Sequence, residues 1–230
     1  MNKMMKLGRF TIALTFFFGT FATTDSNAQG ALNEVLKKMD EHKDGLQSLE
    51  ANVMMTKVDS LIGTKDEVSG KTYYLPKKGK DAYVRINWTE PMEETLLVKN
   101  GEYILYRKRL SQAIRGTVSD SQKNTKTNSA MDFMNMSKKE LRSNYSIQLL
   151  GNKKSGNDEY WHLKLTPKNK KGYKYAELVV DGDGMPFRAK IVEQNDDSTS
   201  VRLSRIKKNV NLSADVFNLT LPSGTKIIKG

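Results

Sequence analysis

The feature that most constrains the fold is a series of short segments in which apolar and polar residues alternate. In the first segment, apolar side chains recur at every second position from Leu49 to Met55, which is the pattern of a half-buried strand. Turn signals such as Asn100-Gly101 separate the segments. Many short strands at regular spacing are typical of an antiparallel barrel or a strongly curved sheet. We therefore predict a mainly β fold with further strands near residues 66–76, 81–89, 94–99, 102–108, 112–118, 145–150, 159–166, 174–181, 186–193, 199–208, 215–221 and 225–228.

Two segments carry helix signals instead. Apolar residues with the i, i+3, i+4, i+7 spacing of a helix stripe predict a helix over residues 31–44. A second helical element is expected within residues 119–143, after a polar loop over residues 119–129, because Ser137 and Glu140 have the spacing of a capping box. The residues of the first stripe are Leu32, Val35, Leu36 and Met39.

The N-terminus has the pattern of an export signal. Three basic residues precede an apolar stretch, Phe10–Phe18, and Ser26-Asn-Ala28 supplies the small residues that a signal peptidase recognises. We expect cleavage before Gln29, so that residues 1–28 are a signal and residues 29–230 form a single domain. The chain has no cysteine, which excludes disulfides and a cysteine-linked lipid anchor. We expect a released, soluble protein outside the cytoplasm.

The composition offers little for catalysis. The formal net charge is +12, and in an exported protein this favours solubility, anionic lipid headgroups or acidic proteins over nucleic acid. His42 and His162 are the two histidines, and neither has a partner at metal-ligand spacing. Asp181 and Asp183 fit a turn better than a calcium loop. We expect no enzymatic activity, no cofactor and no metal.

Methionine is frequent where the sheet pattern is interrupted. Met131, Phe133, Met134 and Met136 form an apolar cluster there. Methionine is flexible and recurs on surfaces that accept varied apolar partners. The cluster therefore indicates either ordinary core filling or a soft lining or lid for an apolar ligand.

Residues 80–109 carry a more specific pattern. It consists of an aromatic residue, an arginine and a tryptophan on one strand, followed by a proline turn, a Leu-Leu-Val segment, an Asn-Gly hairpin and an aromatic strand. In the same order, the residues are Tyr83, Arg85, Trp88, Pro91, Leu96–Val98, Asn100-Gly101 and Tyr103–Tyr106. Later pieces follow in matching order, namely Leu165–Lys168, Val180–Gly184, Val192–Asp196 and Phe217–Gly224. This ordered set resembles the LolA family of periplasmic outer-membrane lipoprotein carriers, and the resemblance covers residues 31–228.

The resemblance implies an unclosed β-barrel in which short helices form a lid over an apolar cavity. In this family the strand arginine is a lid latch that donates to backbone carbonyls of the lid helices, and Arg85 is the matching residue. A guanidinium suits this role because it offers five donors. Trp88 lies three residues after Arg85, whereas carriers often have tryptophan directly after the arginine, so Trp88 departs from the family pattern.

The resemblance also implies a function, that of a periplasmic chaperone that binds lipoprotein acyl chains and moves them from the inner to the outer membrane. The implied partners are acylated lipoproteins, an inner-membrane ABC lipoprotein-releasing complex and an outer-membrane receptor or acceptor, with the protein itself a monomer. Strand phase decides which residues face the cavity, since a shift of one residue reverses the face. The expected cavity residues are Leu32, Leu36, Met39, Tyr83, Trp88, Leu97, Tyr106, Phe133, Met134 and Met136.

An alternative on the same scaffold is a periplasmic protein that senses lipids or lipoproteins and regulates a partner, because fold does not decide function. Sensors of this kind usually carry a second domain, and the sequence shows no linker that suggests one. An exported hydrolase would need a constellation of catalytic residues that the sequence lacks.

Overall fold

The computed structural model describes residues 25–77, 80–118, 133, 136–155, 158–169 and 172–230. Most of the predicted signal and the polar loop over residues 119–129 lie outside these residues. The helices are α1 (Asp25–Gly45) and α2 (Lys138–Asn144), with two short 3-10 helices at Lys108–Leu110 and Ala214–Phe217. The strands are β1 (Leu49–Val58), β2 (Lys65–Lys77), β3 (Lys80–Glu90), β4 (Glu94–Lys99), β5 (Glu102–Arg107), β6 (Gln112–Thr117), β7 (Tyr145–Ser155), β8 (Asp158–Pro167), β9 (Tyr173–Asp181), β10 (Pro186–Glu193), β11 (Ser198–Lys208) and β12 (Lys226–Lys229).

All the strands of the described chain belong to one sheet. Their order is β12-β6-β5-β4-β3-β2-β1-β11-β10-β9-β8-β7. Neighbouring strands are antiparallel except β12, which pairs with β6 in parallel. The sheet begins and ends with different strands, β12 and β7, so it is not closed into a barrel. This confirms the predicted mainly β fold with an unclosed antiparallel sheet.

The two faces of the sheet are covered differently. Alternate residues of β8, namely Trp161, Leu163 and Leu165, are buried in one core cluster with the apolar stripe of α1. We call this side the helix face and the opposite side the outer face. Since directly opposed residues of paired strands share a face, the registers assign the paired strand residues to one side or the other. No helix among the described residues is both long and apolar enough to cross a membrane.

The predicted elements agree with the observed ones in most places. Strands β4 and β10 have the predicted bounds, and α1 includes the predicted helix over residues 31–44. The capping box is present, since Ser137 Oγ accepts from Glu140 N at 3.2 Å and Ser137 N donates to Glu140 Oε2 at 2.7 Å. The predicted strand over residues 215–221 is wrong. Ser213 Oγ accepts from Asp215 N at 3.3 Å there and begins a 3-10 helix, because such local bonds compete with strand pairing.

Candidate functional site

One half of the helix face is a tightly packed core. We call it the packed half, and it consists of β1 and β7–β11 beneath α1 and α2. The α1 residues Val35 and Leu36 have no exposed surface, and Met39 is 4% exposed. A cavity of only about 10 Å³ lies beside Phe133, enough for about one water molecule. Where the structure describes the residues beneath α1, apolar side chains thus occupy the space in which the sequence predicts a hollow.

The hairpin between β9 and β10 fastens α1 to the sheet. Lys38 Nζ donates to the Gly182 carbonyl at 3.1 Å and lies 4.8 Å from the centre of the Trp161 ring. Gly184 has a φ of +87°, and a Cβ there would lie 2.2 Å from the Lys38 carbonyl oxygen. The close approach of the hairpin backbone to the α1 backbone at Gly184 depends on glycine. Nearby, burial and the charge of Lys208 lower the pKa of His42.

The other half of the helix face is less densely covered. We call it the open half, and it is formed by β2–β6. The register carries the helix face across these strands from Thr72 to Ile86 and then to Leu96, Leu105 and Ile114. Thr72 on β2 and Ile86 on β3 are buried, whereas the remaining apolar side chains are only partly buried. They are Val68, Tyr74, Val84, Trp88, Leu96, Val98, Tyr103, Leu105 and Ile114.

Polar groups border the open half. At one end, Arg107 Nε lies 3.4 Å from Glu94 Oε1 across β4 and β5. At the other end, the Tyr103 ring lies close enough to Gly116 that a Cβ there would be 2.7 Å from it. Tyr74 is neutral at physiological pH, and burial raises its pKa further, to about 12. The open half is therefore an apolar surface without an exposed charge at its centre, suited to an uncharged ligand.

Arg85 lies on the outer face, opposite to its neighbour Ile86. Its Nη1 donates to the carbonyl oxygens of Val216 and Asn218, both at 3.0 Å, and its Nε donates to Asn87 Oδ1 at 2.8 Å. The arginine thus bridges backbone carbonyls, as the resemblance implies. The carbonyls belong to the C-terminal 3-10 helix and its end, however, and not to the helices on the helix face.

The C-terminal 3-10 helix forms a small second core on the outer face. Phe217 is 2% exposed and packs on Tyr83, with ring centres 5.7 Å apart. Lys99 Nζ donates to the Phe217 carbonyl at 3.2 Å. Leu97 of β4 and Ala113 of β6 also lie on the outer face and are buried. Sequence reasoning missed this core, although the apolar content of both faces of these strands is a signal that both are covered.

The structure divides the predicted site residues between the two faces. The residues expected to line one cavity therefore do not share one face of the sheet. Side chains alternate along β3, β4 and β5, and the register turns only one alternating set toward α1. Helix-face residues are Leu32, Leu36, Met39, Trp88, Phe133 and Met136. Outer-face residues are Tyr83, Arg85, Leu97 and Tyr106. Met134 lies outside the described residues.

Comparisons with known proteins agree with this architecture. An uncharacterised protein of Methanocaldococcus jannaschii is 23% identical over 227 residues, which is 98% of this chain and 60% of that protein. The chain thus spans about three fifths of this relative. An uncharacterised conserved protein from Thermus thermophilus has a TM-score of 0.56 at 13% identity, covering 87% of this chain and 99% of that one.

MucB has the same fold, with a TM-score of 0.55 at 13% identity over 83% of this chain and 63% of MucB. MucB from Pseudomonas aeruginosa has also been solved in complex with MucA. The profile of the family described as outer membrane lipoprotein carrier protein LolA matches residues 47–220, which is most of the chain. The chain therefore belongs to the LolA family of outer membrane lipoprotein carrier proteins.

Proposed function

We propose that this protein carries lipoproteins through the periplasm by holding their acyl chains on the open half of the sheet. It would accept them from an inner-membrane ABC releasing complex and deliver them to an acceptor at the outer membrane. The observation that carries the proposal is the partly buried apolar surface of β2–β6 in a member of a lipoprotein carrier family. The N-terminal export signal that the sequence predicts supports a periplasmic location.

The energetics favour a surface of this kind. A buried methylene contributes about 0.8 kcal/mol, so a long acyl chain gains roughly 10 kcal/mol when it is fully enclosed. A carrier must also release its cargo, and a surface that covers a chain only in part binds it less tightly. Among the described residues, the side chains beneath α1 are tightly packed, and Val35 and Leu36 are fully buried. We therefore assign acyl-chain binding to the open half.

The two tryptophans allow a direct test. Trp88 lies in the open half and is partly buried, whereas Trp161 is 3% exposed in the packed half. In the Trp161→Phe variant, an acylated peptide with bromine on its acyl chain should quench Trp88 fluorescence. In the matched Trp88→Phe variant, the same peptide should leave Trp161 fluorescence unchanged. Quenching of Trp161 alone would place the chain under α1 and refute the assignment, and quenching of neither would refute acyl binding.

A sensing role is the alternative, and the similarity of the fold to MucB, a protein solved in complex with MucA, gives a reason to test it. Depletion of the protein separates the two functions. Accumulation of lipoproteins at the inner membrane is expected for a carrier. Unchanged lipoprotein sorting, with co-purification of a regulatory partner from a cross-linked periplasmic fraction, would favour the sensor.

A further inference from the structure

A basic depression lies on the outer face of the sheet, over β7–β11 and opposite to α1. Its volume is about 750 Å³. Gly151 and Val179 are opposed to His162 in the register and give the depression a low floor, because glycine has no side chain and valine a short one. Arg188 and Arg202 stand at its β10–β11 side. Four of the thirteen lining residues are lysine or arginine.

The register places two arginines directly opposite each other. Arg188 on β10 pairs with Arg202 on β11, and the Cα atoms of such pairs lie about 4.5–5.5 Å apart. Like charges in directly opposed positions destabilise a sheet. Both side chains are exposed, and neither forms an ion pair with any residue that the structure describes. An anion that bound both guanidinium groups would relieve this repulsion.

Two further cations, Lys153 and Lys190, line the basic depression. The acidic side chain among its lining residues is Glu177, whose Oε2 lies 3.1 Å from His162 Nε2. The depression therefore combines four permanent cations with one carboxylate that already has a partner. Arg202, however, also borders a neighbouring depression that contains Asp158, Glu159, Asp181 and Asp183.

We propose that this depression binds a phosphate group, and that its source is an anionic phospholipid headgroup at a membrane surface. Two guanidinium groups on neighbouring strands can each form paired hydrogen bonds to phosphate oxygens. Apolar and aromatic groups border the charges: Leu150 is 48% exposed, and the Tyr160 and Phe187 rings pack edge to face at 5.6 Å. This border favours a headgroup with attached lipid over inorganic phosphate.

The inference rests on the proposed function for the choice of a membrane as the source. The depression and the open half are on opposite faces of the sheet, so a headgroup in one leaves the other accessible to an acyl chain. Membrane docking and cargo binding are therefore separable. Docking on this face would bring the carrier to an anionic membrane with its apolar surface still available.

Vesicle binding tests the proposal. The full mature protein is sedimented with phosphatidylcholine vesicles that contain or lack phosphatidylglycerol. The Arg188→Gln/Arg202→Gln variant should lose at least about tenfold in affinity for the anionic vesicles. Its matched control, Arg109→Gln/Arg115→Gln, removes the same charge from exposed positions elsewhere and should bind nearly as the wild type does. An equal loss in both variants would show that net charge alone acts and would overturn the proposal.

Thermal unfolding distinguishes the two sources of phosphate. Inorganic phosphate should raise the unfolding midpoint of the wild type above that in sodium chloride of equal ionic strength, and should not do so in the Arg188→Gln/Arg202→Gln variant. Without phosphate this variant should unfold no earlier than the wild type, because its cross-strand repulsion is removed. A phosphate effect with no difference in vesicle binding would overturn the membrane source and leave inorganic phosphate as the ligand. If phosphate does not raise the unfolding midpoint of the wild type and the variant binds anionic vesicles as the wild type does, the proposed phosphate site is refuted.

Quenching of Trp88 by the brominated acylated peptide, measured in the same double variant, keeps this proposal distinct from the proposed function. Normal quenching with lost vesicle binding supports the phosphate site as a separate feature. Loss of quenching with normal vesicle binding would count against the site, because the two arginines would then act on the acyl chain.

Discussion

Replacing Gly184 by alanine tests how α1 is held on the sheet. Gly184 has a φ of +87°, and an added Cβ would lie 2.2 Å from the Lys38 carbonyl oxygen. The left-handed backbone alone costs a non-glycine residue about 1–2 kcal/mol. Relieving the contact requires the hairpin and α1 to separate, and overpacking of this kind costs about 1–3 kcal/mol more. We therefore expect the free energy of unfolding to fall by about 2–5 kcal/mol.

Two control variants separate these contributions. Gly224 has a φ of +80° but no atom within 4 Å of an added Cβ, so Gly224→Ala should lose only the backbone contribution. Gly45 has neither a positive φ nor a close neighbour, so Gly45→Ala should lose nothing. Urea unfolding followed by circular dichroism measures the three losses, and hydrogen exchange of the α1 amides shows whether the helix loosens. If Gly184→Ala loses no more than Gly224→Ala, the tight contact between the hairpin and α1 is refuted.

Other variants test the remaining parts of the structure. Burial lowers the pKa of His42 below its ordinary 6.5, so the unfolded state binds the proton more tightly than the folded state does. The free energy of unfolding should therefore fall as the pH drops below about 6.5. In urea titrations at several pH values, His42→Gln should flatten this pH dependence. Arg85→Gln should speed amide exchange in the C-terminal 3-10 helix and leave α1 unchanged, while Arg115→Gln, an exposed control on β6, should alter neither. Leu105→Gln in the open half should weaken acylated-peptide binding by about tenfold, since the side chain gives up part of about 1.5–3 kcal/mol of apolar burial. Met54→Gln, which changes a 40% exposed residue on the outer face of β1, should leave acylated-peptide binding unchanged. Equal affinities of the Leu105→Gln and Met54→Gln variants would contradict the assignment of acyl-chain binding to the open half.

Local chemistry explains which elements the sequence could predict. Asn100 and Gly101 have φ values of 55° and 78°, the conformation that an Asn-Gly hairpin turn requires, so the end of β4 and the start of β5 follow from two residues. The capping box at Ser137 and Glu140 likewise places the start of α2 within its own turn. Such signals depend on neighbours a few positions away, and the sequence contains all of them.

The face of β3 could not be predicted in the same way. Its two alternating sets, Tyr83 with Arg85 and Val84 with Ile86, both contain bulky side chains that suit burial. The choice depends on Phe217, which docks on the outer face from more than a hundred residues later in the chain. Because both faces of β3 are covered, period-two patterning carries no information about which one meets α1. Arg85 donates to backbone carbonyls of the C-terminal 3-10 helix and its end, whereas the family pattern implies carbonyls of the lid helices.

The two halves of the sheet separate stability from release. A fully enclosed acyl chain at roughly 10 kcal/mol corresponds to a dissociation constant of tens of nanomolar, whereas half of that energy corresponds to a few hundred micromolar. If cargo had to open the packed half, each binding event would disrupt the contacts of Leu36 and Gly184 that hold the fold together. On the open half, a chain can bind and leave without breaking them. Several weakly held chains on one lipoprotein then provide retention in water, and transfer to an acceptor can proceed one chain at a time.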